Sequence, residues 1–350
     1  MLTREEYYKL ALRERFIKLT KAEEERADEL HRRSIIVDLH SHICEEQFDR
    51  QRALNSGVTA FFEAIAVISE DFDESMRRVG NSFAFARRQE GMGVAYSAED
   101  VREAKKEGKQ VILAQLEPQT IGLHLDRIDT AYGLGVRMML LTFNSKNYVG
   151  DGCGERTDDG LSYFGLDLID RMNKVGMVID LSHCGDKTTL EAVGASRDPV
   201  LCNHTGARTL YSRSRRLKTD EAIKAVAEKG GIIGISAVPN QLANTKSQGI
   251  KDVLGHLDYV VRLVGVDHVG IGLDKPWGDH VAEHRIMAKQ GIINPERVGM
   301  ELTAEFMEGI DTPEEWPNIT RGLVSRGYSD QEIEKIVGGN ALRIMESVLH

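Results

Sequence analysis

Short apolar runs rich in β-branched residues recur along the chain, most of them opened by Gly or Pro and followed by a stretch with helical periodicity. Eight stand out: "IIVDLHSH", "GVTAFFEAIAV", "QVILAQLE", "GVRMMLLTF", "GMVIDLSH", "PVLCNHTG", "GIIGISAV" and "HVGIGLD". Between them lie amphipathic segments such as "GLDLIDRMNKV", "DEAIKAVAEK" and "VLGHLDYVVRLV". Strands that alternate with helices pair in parallel through right-handed crossovers, and eight such units predict an α/β fold of the closed (β/α)8 TIM-barrel type. An open doubly wound sheet is the competing architecture, but no Gly-x-Gly-x-x-Gly run follows an early strand. Residues 1–33, rich in Glu, Lys and Arg, predict a solvated N-terminal helical extension. Residues 34–350 predict one barrel domain that includes closing C-terminal helices, with Ser329 as the N-cap of a late one.

Composition narrows the class. With 41% hydrophobic and 29% charged residues among 350, the chain reads as an ordinary globular protein, and no apolar run is long enough to cross a bilayer. The charged N-terminus lacks a secretory signal, so a cytoplasmic protein without membrane association is expected. A formal net charge of -10 argues against a nucleic-acid partner; "SRSRRLK" at 212–218 is the one dense basic run. Cys44, Cys153, Cys184 and Cys202 show no Cys-x-x-Cys spacing and are expected to be reduced. Cys184 and Cys202 neighbour candidate ligand histidines, yet both are expected to be small buried hydrophobes.

In barrels of this type the site forms at the C-terminal ends of the strands. There the first run ends in His40 and His42, which share a face because strand side chains repeat every second residue. The third ends in Glu117, the fifth in His183, the sixth in His204 and the eighth in Asp274. Each alone has a bland explanation, a hydrogen-bonded core histidine or a helix-capping carboxylate. Together they would be costly unless a cation compensated them. Four histidines with two carboxylates suit zinc or a similar divalent ion, in number enough for two ions. Such a pair activates water for hydrolysis. Asp274 is placed to carry the water's proton to a leaving group. His124, His256, His268, His280 and His284 fall in helical or loop positions and read as structural or surface residues.

The stretches "GLSYFGLDLIDRMNKVGMVIDLSH", "PVLCNHTGAR", "HLDYVVRLVGVDHVGIGLD", "GYSDQEIEKIVGGNALRIMESV" and "YGLGVRMMLLTFNSKNYVGDGC" resemble the membrane (renal) dipeptidase family of zinc peptidases, over roughly residues 34 to 348. The resemblance implies a barrel with two zinc ions bridged by a glutamate and a dipeptide or similar small substrate. On this chain it implies His40 and His42 as first-strand ligands, Glu117 as the bridge, His183 and His204 at the second ion and Asp274 as the catalytic aspartate. It further implies Arg215 as the binder of the substrate carboxylate, and a homodimer as the assembly. Three positions depart from the family pattern. His42 stands where an Asp is usual, "GLDKPWG" replaces the usual sequence after strand eight, and Phe143 occupies the position of a histidine that assists the substrate carbonyl. Asn144 or Asn147 is the stand-in expected for that histidine. The expected function is therefore hydrolysis of a dipeptide or similar N-acylated amino acid. A metal-dependent phosphodiesterase or deoxyribonuclease on the same barrel, and a non-hydrolytic biosynthetic or scaffold member of the family, are the alternatives.

Overall fold

A computed structural model of the chain describes residues 16–43, 47–65 and 71–349. Residues 1–15 of the expected N-terminal helix, Cys44 and the end of the second apolar run lie outside the described residues. The strands in chain order are β1 (Val37–His42), β2 (Ala60–Ala64), β3 (Met92–Val94), β4 (Gln110–Leu116), β5 (Val136–Leu140), β6 (Val178–Asp180), β7 (Leu201–Thr205), β8 (Ile232–Ile235), β9 (Gln248–Gly249), β10 (Val269–Ile271), β11 (Lys275–Pro276) and β12 (Met307–Glu308). The main sheet runs β10-β8-β7-β6-β5-β4-β2-β1-β11, all parallel, with β3 added on β4. β9 and β12 form a separate small pair.

The two ends of that path are one stretch of chain. β10 and β11 are the halves of an eighth strand interrupted at residues 272–274; the first half pairs with β8 and the second with β1, which closes the ring. The Asp274 amide donates to the His40 carbonyl at 2.9 Å within the gap. Asp38 stitches the same seam: one carboxylate oxygen accepts from the Leu273 amide at 2.9 Å, the other from the Trp316 indole at 3.2 Å. Gly272 is required there, since a Cβ would stand 2.0 Å from the Asn203 carbonyl oxygen. The sequence-predicted barrel is thus the observed fold, with the eighth strand broken where a continuous one was expected.

The inward side chains Val37, Phe62, Leu113, Met138, Leu201 and Ile232 form one apolar cluster with Leu342, Met345 and Val348 of the helix Asn340–Val348. That helix plugs the end of the barrel at the N-terminal ends of the strands, as the amphipathic pattern of the last segment predicts. The helix Lys21–Arg33, capped by Thr20, buries Ala27 and Leu30 and pairs Glu24 with the buried Arg321. It is packed onto the barrel, whereas a fully solvated extension was expected.

Candidate metal centre

All six expected ligands face one cavity of about 790 Å³ at the C-terminal ends of the strands. Rim irregularities aim them. The pairing register shifts between Asp38 and Ser41 in β1, between Ala114 and Gln115 in β4, and between Cys202 and Thr205 in β7. Bulges of this kind redirect side chains beside active sites. Asp274 sits in the break of the eighth strand with φ 55°, a left-handed conformation that Asp tolerates better than most residues. Its carboxylate turns into the mouth: Oδ1 lies 3.0 Å from His42 Nε2 and 3.7 Å from His40 Nε2, and Oδ2 lies 3.6 Å from His204 Nε2. Ligand atoms of His40, His42 and Asp274 all lie within 4.8 Å of one another. Glu117 follows β4 directly and is buried, with Oε2 lacking a hydrogen-bond partner among the described residues.

The outer partners decide how the imidazoles present themselves. His183 Nδ1 meets Asn144 Oδ1 at 2.8 Å, His40 Nδ1 meets Gln115 Oε1 at 3.1 Å, and His204 Nδ1 meets Asn203 Oδ1. An amide oxygen only accepts, so on His183 and His204 Nδ1 carries the proton and Nε2 presents a lone pair, whereas His40 Nδ1 faces both the Gln115 oxygen and, at 3.0 Å, the Asn203 Nδ2 donor. Asn203 Nδ2 donates to Gln115 Oε1 at 2.8 Å, which fixes both amides in that sense. The consequence appears at His183 and His204, whose Nε2 atoms face each other at 2.9 Å with no proton to share. Opposed lone pairs at that distance repel unless a metal cation or an added proton lies between them, and outer-shell amides that set the tautomer are the usual support of a metal-bound histidine. The donor set fits a divalent ion on these grounds.

Electrostatics points the same way. Burial pushes Glu117 and Glu63 up to about 8, Asp38 to about 7 and Asp180 to about 6. Burial works against the charge of Asp274 too, but His204 and His42 hold it well below the usual carboxylate range. His42 would be lowered by burial, yet the Asp274 carboxylate beside it raises it to about 9. Burial holds His183 and His204 neutral, well below the ordinary imidazole range. A bound cation would favour the ionised carboxylates that burial alone suppresses.

Asn144 lines the cavity, but its side-chain oxygen is spent on His183 and on the Cys153 thiol at 3.3 Å. Asn147 lies outside the lining; it donates to the Leu141 carbonyl and accepts from the Val149 and Gly150 amides, a loop-shaping role. Arg215 is exposed and also outside the lining, whereas its buried neighbour Arg216 faces the cavity and donates to the Ser182 and His204 carbonyls. Phe143 stacks on His183 at 4.1 Å between ring centroids. Cys184 and Cys202 are buried, and burial raises their thiols to about 11 and about 12.

Sequence reasoning passed over three cavity residues. Glu63 is the penultimate residue of β2, with one oxygen accepting from the Ile43 amide at 2.6 Å and the other unpartnered among the described residues. His280 and His284, read from sequence as structural or surface residues, both line the cavity; their spacing in "HVAEH" was the available signal.

A 262-residue stretch is 28% identical to dipeptidase tcpJ of Claviceps purpurea, covering 73% of this chain and 55% of that protein. Dipeptidase verJ of Clonostachys rogersoniana is 28% identical over 269 residues, 75% of this chain and 61% of its own length. The chain therefore spans less than two thirds of the length of these curated relatives. An amidohydrolase from Pseudomonas aeruginosa superposes with a TM-score of 0.83 at 30% identity, over 92% of this chain and 99% of that one. A metallo peptidase from Rhodobacter sphaeroides, solved with a phosphinate mimic of the dipeptide L-Ala-D-Ala, shares the fold with a TM-score of 0.75 at 20% identity, over 90% of this chain and 99% of that one. The model of the membrane dipeptidase family, peptidase family M19, matches residues 24–283 and 298–350, and the chain belongs to that family.

Proposed function

We propose that the chain is a zinc-dependent hydrolase of the amide bond of dipeptides or similar small N-acylated amino acids. The observation that carries this reading is the pair His183 and His204, whose Nδ1 atoms are tied to amide oxygens so that their Nε2 lone pairs face each other, with the Asp274 carboxylate 3.6 Å from His204 Nε2. His40, His42 and Asp274 would hold one ion, His183 and His204 a second, and Glu117 would stand between them. Bound there, the ions supply an activated water and counter-charge for a carbonyl oxygen.

The chain's own groups do the rest. Arg216, fixed by two backbone carbonyls, offers its remaining guanidinium donors to the substrate carboxylate, the role that the family resemblance implied for Arg215. Asp274 takes the proton from the attacking water and delivers it to the amide nitrogen as the C–N bond breaks, so that the products are an acid and an amine. Phe143 stacks on His183 and with Met300 and Val298 gives the cavity an apolar wall that limits water. The buried, unpaired thiols of Cys153, Cys184 and Cys202 suit a reducing cytoplasm, and a homodimer belongs to the same proposal.

The test is a panel of L-L and L-D dipeptides, N-acyl amino acids and a chromogenic phosphodiester, presented to zinc-loaded protein. Turnover confined to the amides is expected. No hydrolysis of any amide, or turnover of the phosphodiester alone, refutes the reading.

A further inference from the structure

A second pair of imidazoles meets on the cavity wall. The helix His280–Lys289 is capped by Asp279, whose carboxylate accepts from the Ala282 amide at 2.9 Å. Residues four apart share a helix face, so His280 and His284 project together, with Nε2 atoms 3.1 Å apart and ring centroids 4.3 Å apart. Glu283, on the same side, also lines the cavity. His280 is 5% exposed and His284 half-buried.

Histidines held for structural reasons look different in this protein. His31 bonds Thr320 through one nitrogen and the Ser56 carbonyl through the other, and His256 takes the Ala207 amide and the Leu242 carbonyl. His280 has no such bonds: its Nδ1 is buried without a partner among the described residues, and its Nε2 meets only His284. The spacing repeats that of His183 and His204, 2.9 Å between Nε2 atoms. Two nitrogens on one tetrahedral zinc, each about 2.0–2.1 Å from it, stand about 3.3 Å apart. Two histidines at i and i+4 are a recurrent way for a helix to grip such an ion. Residues 284–297 also fall outside the stretches that the family model matches, so His284 is not one of the positions that model describes.

We propose that His280 and His284 form a further cation site on the wall of the same cavity, built from residues other than the six barrel-centre candidates, and taking a borderline divalent ion such as Zn²⁺, Co²⁺ or Ni²⁺, with water in the remaining positions. Imidazole nitrogens and this softness of ion match, and the hard cations Mg²⁺ and Ca²⁺ are excluded by the donor type.

The experiment loads the barrel centre with zinc and then titrates the full-length protein with Co²⁺, reading bound cobalt by mass spectrometry and by visible absorption. Wild type should take up one equivalent more than His284→Ala or His284→Gln. Losing a direct ligand should weaken that equivalent by more than the roughly 10- to 100-fold typical of an outer-shell loss. The double variant His183→Ala/His204→Ala should retain it. Circular dichroism establishes that the His284 variants are folded, and the half-buried position makes the glutamine variant a second route. Unchanged cobalt uptake in both His284 variants, or disappearance of the extra equivalent in the His183/His204 variant, overturns the proposal. No readout uses turnover, so a failed dipeptide panel leaves this result intact.

Discussion

Replacing Asn144 with alanine separates an outer-shell support from a substrate contact. Asn144 Oδ1 accepts the His183 Nδ1 proton at 2.8 Å, and the Asn144 carbonyl separately accepts from the Gly154 amide at 2.7 Å. The second bond survives truncation, so the loop keeps its path while His183 loses the acceptor that fixes its tautomer. A neutral hydrogen bond contributes about 0.5–1.5 kcal/mol, and outer-shell substitutions weaken metal binding by about 10- to 100-fold, equivalent to about 1.4–2.8 kcal/mol. Phe143 still stacks on the ring at 4.1 Å, which holds its plane and places the expected loss toward the lower end, about 10- to 30-fold. Asn144→Asp should recover or exceed wild-type affinity, because a charged acceptor bonds about twice as strongly. Competition against a chromophoric chelator gives the zinc affinity, and kcat and KM at saturating zinc give the rest. If Asn144→Ala bound zinc like wild type while KM alone rose, the side chain would be a substrate contact and the tautomer argument would fail.

Other consequences can be measured independently. Asp274→Asn should lower kcat by about 10²- to 10⁴-fold at saturating zinc, in line with loss of a general acid–base; a change of less than threefold in steady-state assays refutes its proton role. Arg216→Lys should lower kcat/KM for a dipeptide by about 10- to 100-fold, mostly through KM, while Arg215→Ala stays near wild type; the reverse order would restore Arg215 to the role. Metal-free protein should lose stability as pH rises from 6.5 to 8. Folded Glu63 and Glu117 keep their protons to about 8 and His42 to about 9, whereas the unfolded chain has released them or is releasing them over this range. Each retained proton costs about 1.4 kcal/mol per pH unit; the histidines depressed to about 4 or below oppose this while their unfolded counterparts, titrating at about 6.5, still hold protons, an effect gone by about 7.5, so the fall is steepest from there to 8. Urea denaturation with and without zinc tests this, since zinc should flatten the slope; a metal-free protein that gains stability over the interval contradicts it.

The barrel was readable because parallel strands and amphipathic helices leave different periods in the sequence, and the strand-end chemistry was readable because such folds put their sites there. His40, His42, Glu117, His183, His204 and Asp274 all face the cavity on that basis. What escaped depends on geometry that carries no period. Arg215 and Arg216 are adjacent in a loop, so nothing in the pattern says which one turns inward. The bulge in β7 lets the neighbours Asn203 and His204 bond to each other, which simple alternation forbids, and hid Asn203 as a support. His280 and His284 show helical spacing, but which side of that helix meets the cavity is set by packing across the mouth.

The broken eighth strand ties catalysis to the integrity of the ring. Asp274 owes its left-handed backbone to β10 on one side and β11 on the other, so the carboxylate proposed to carry the proton is held in position by the pairing of both halves of the seam. Loosening that joint between Val269 and Pro276 would withdraw the carboxylate from the histidines even with the rest of the barrel intact. Activity should therefore fade ahead of global unfolding, which makes turnover a sensitive gauge of the joint itself.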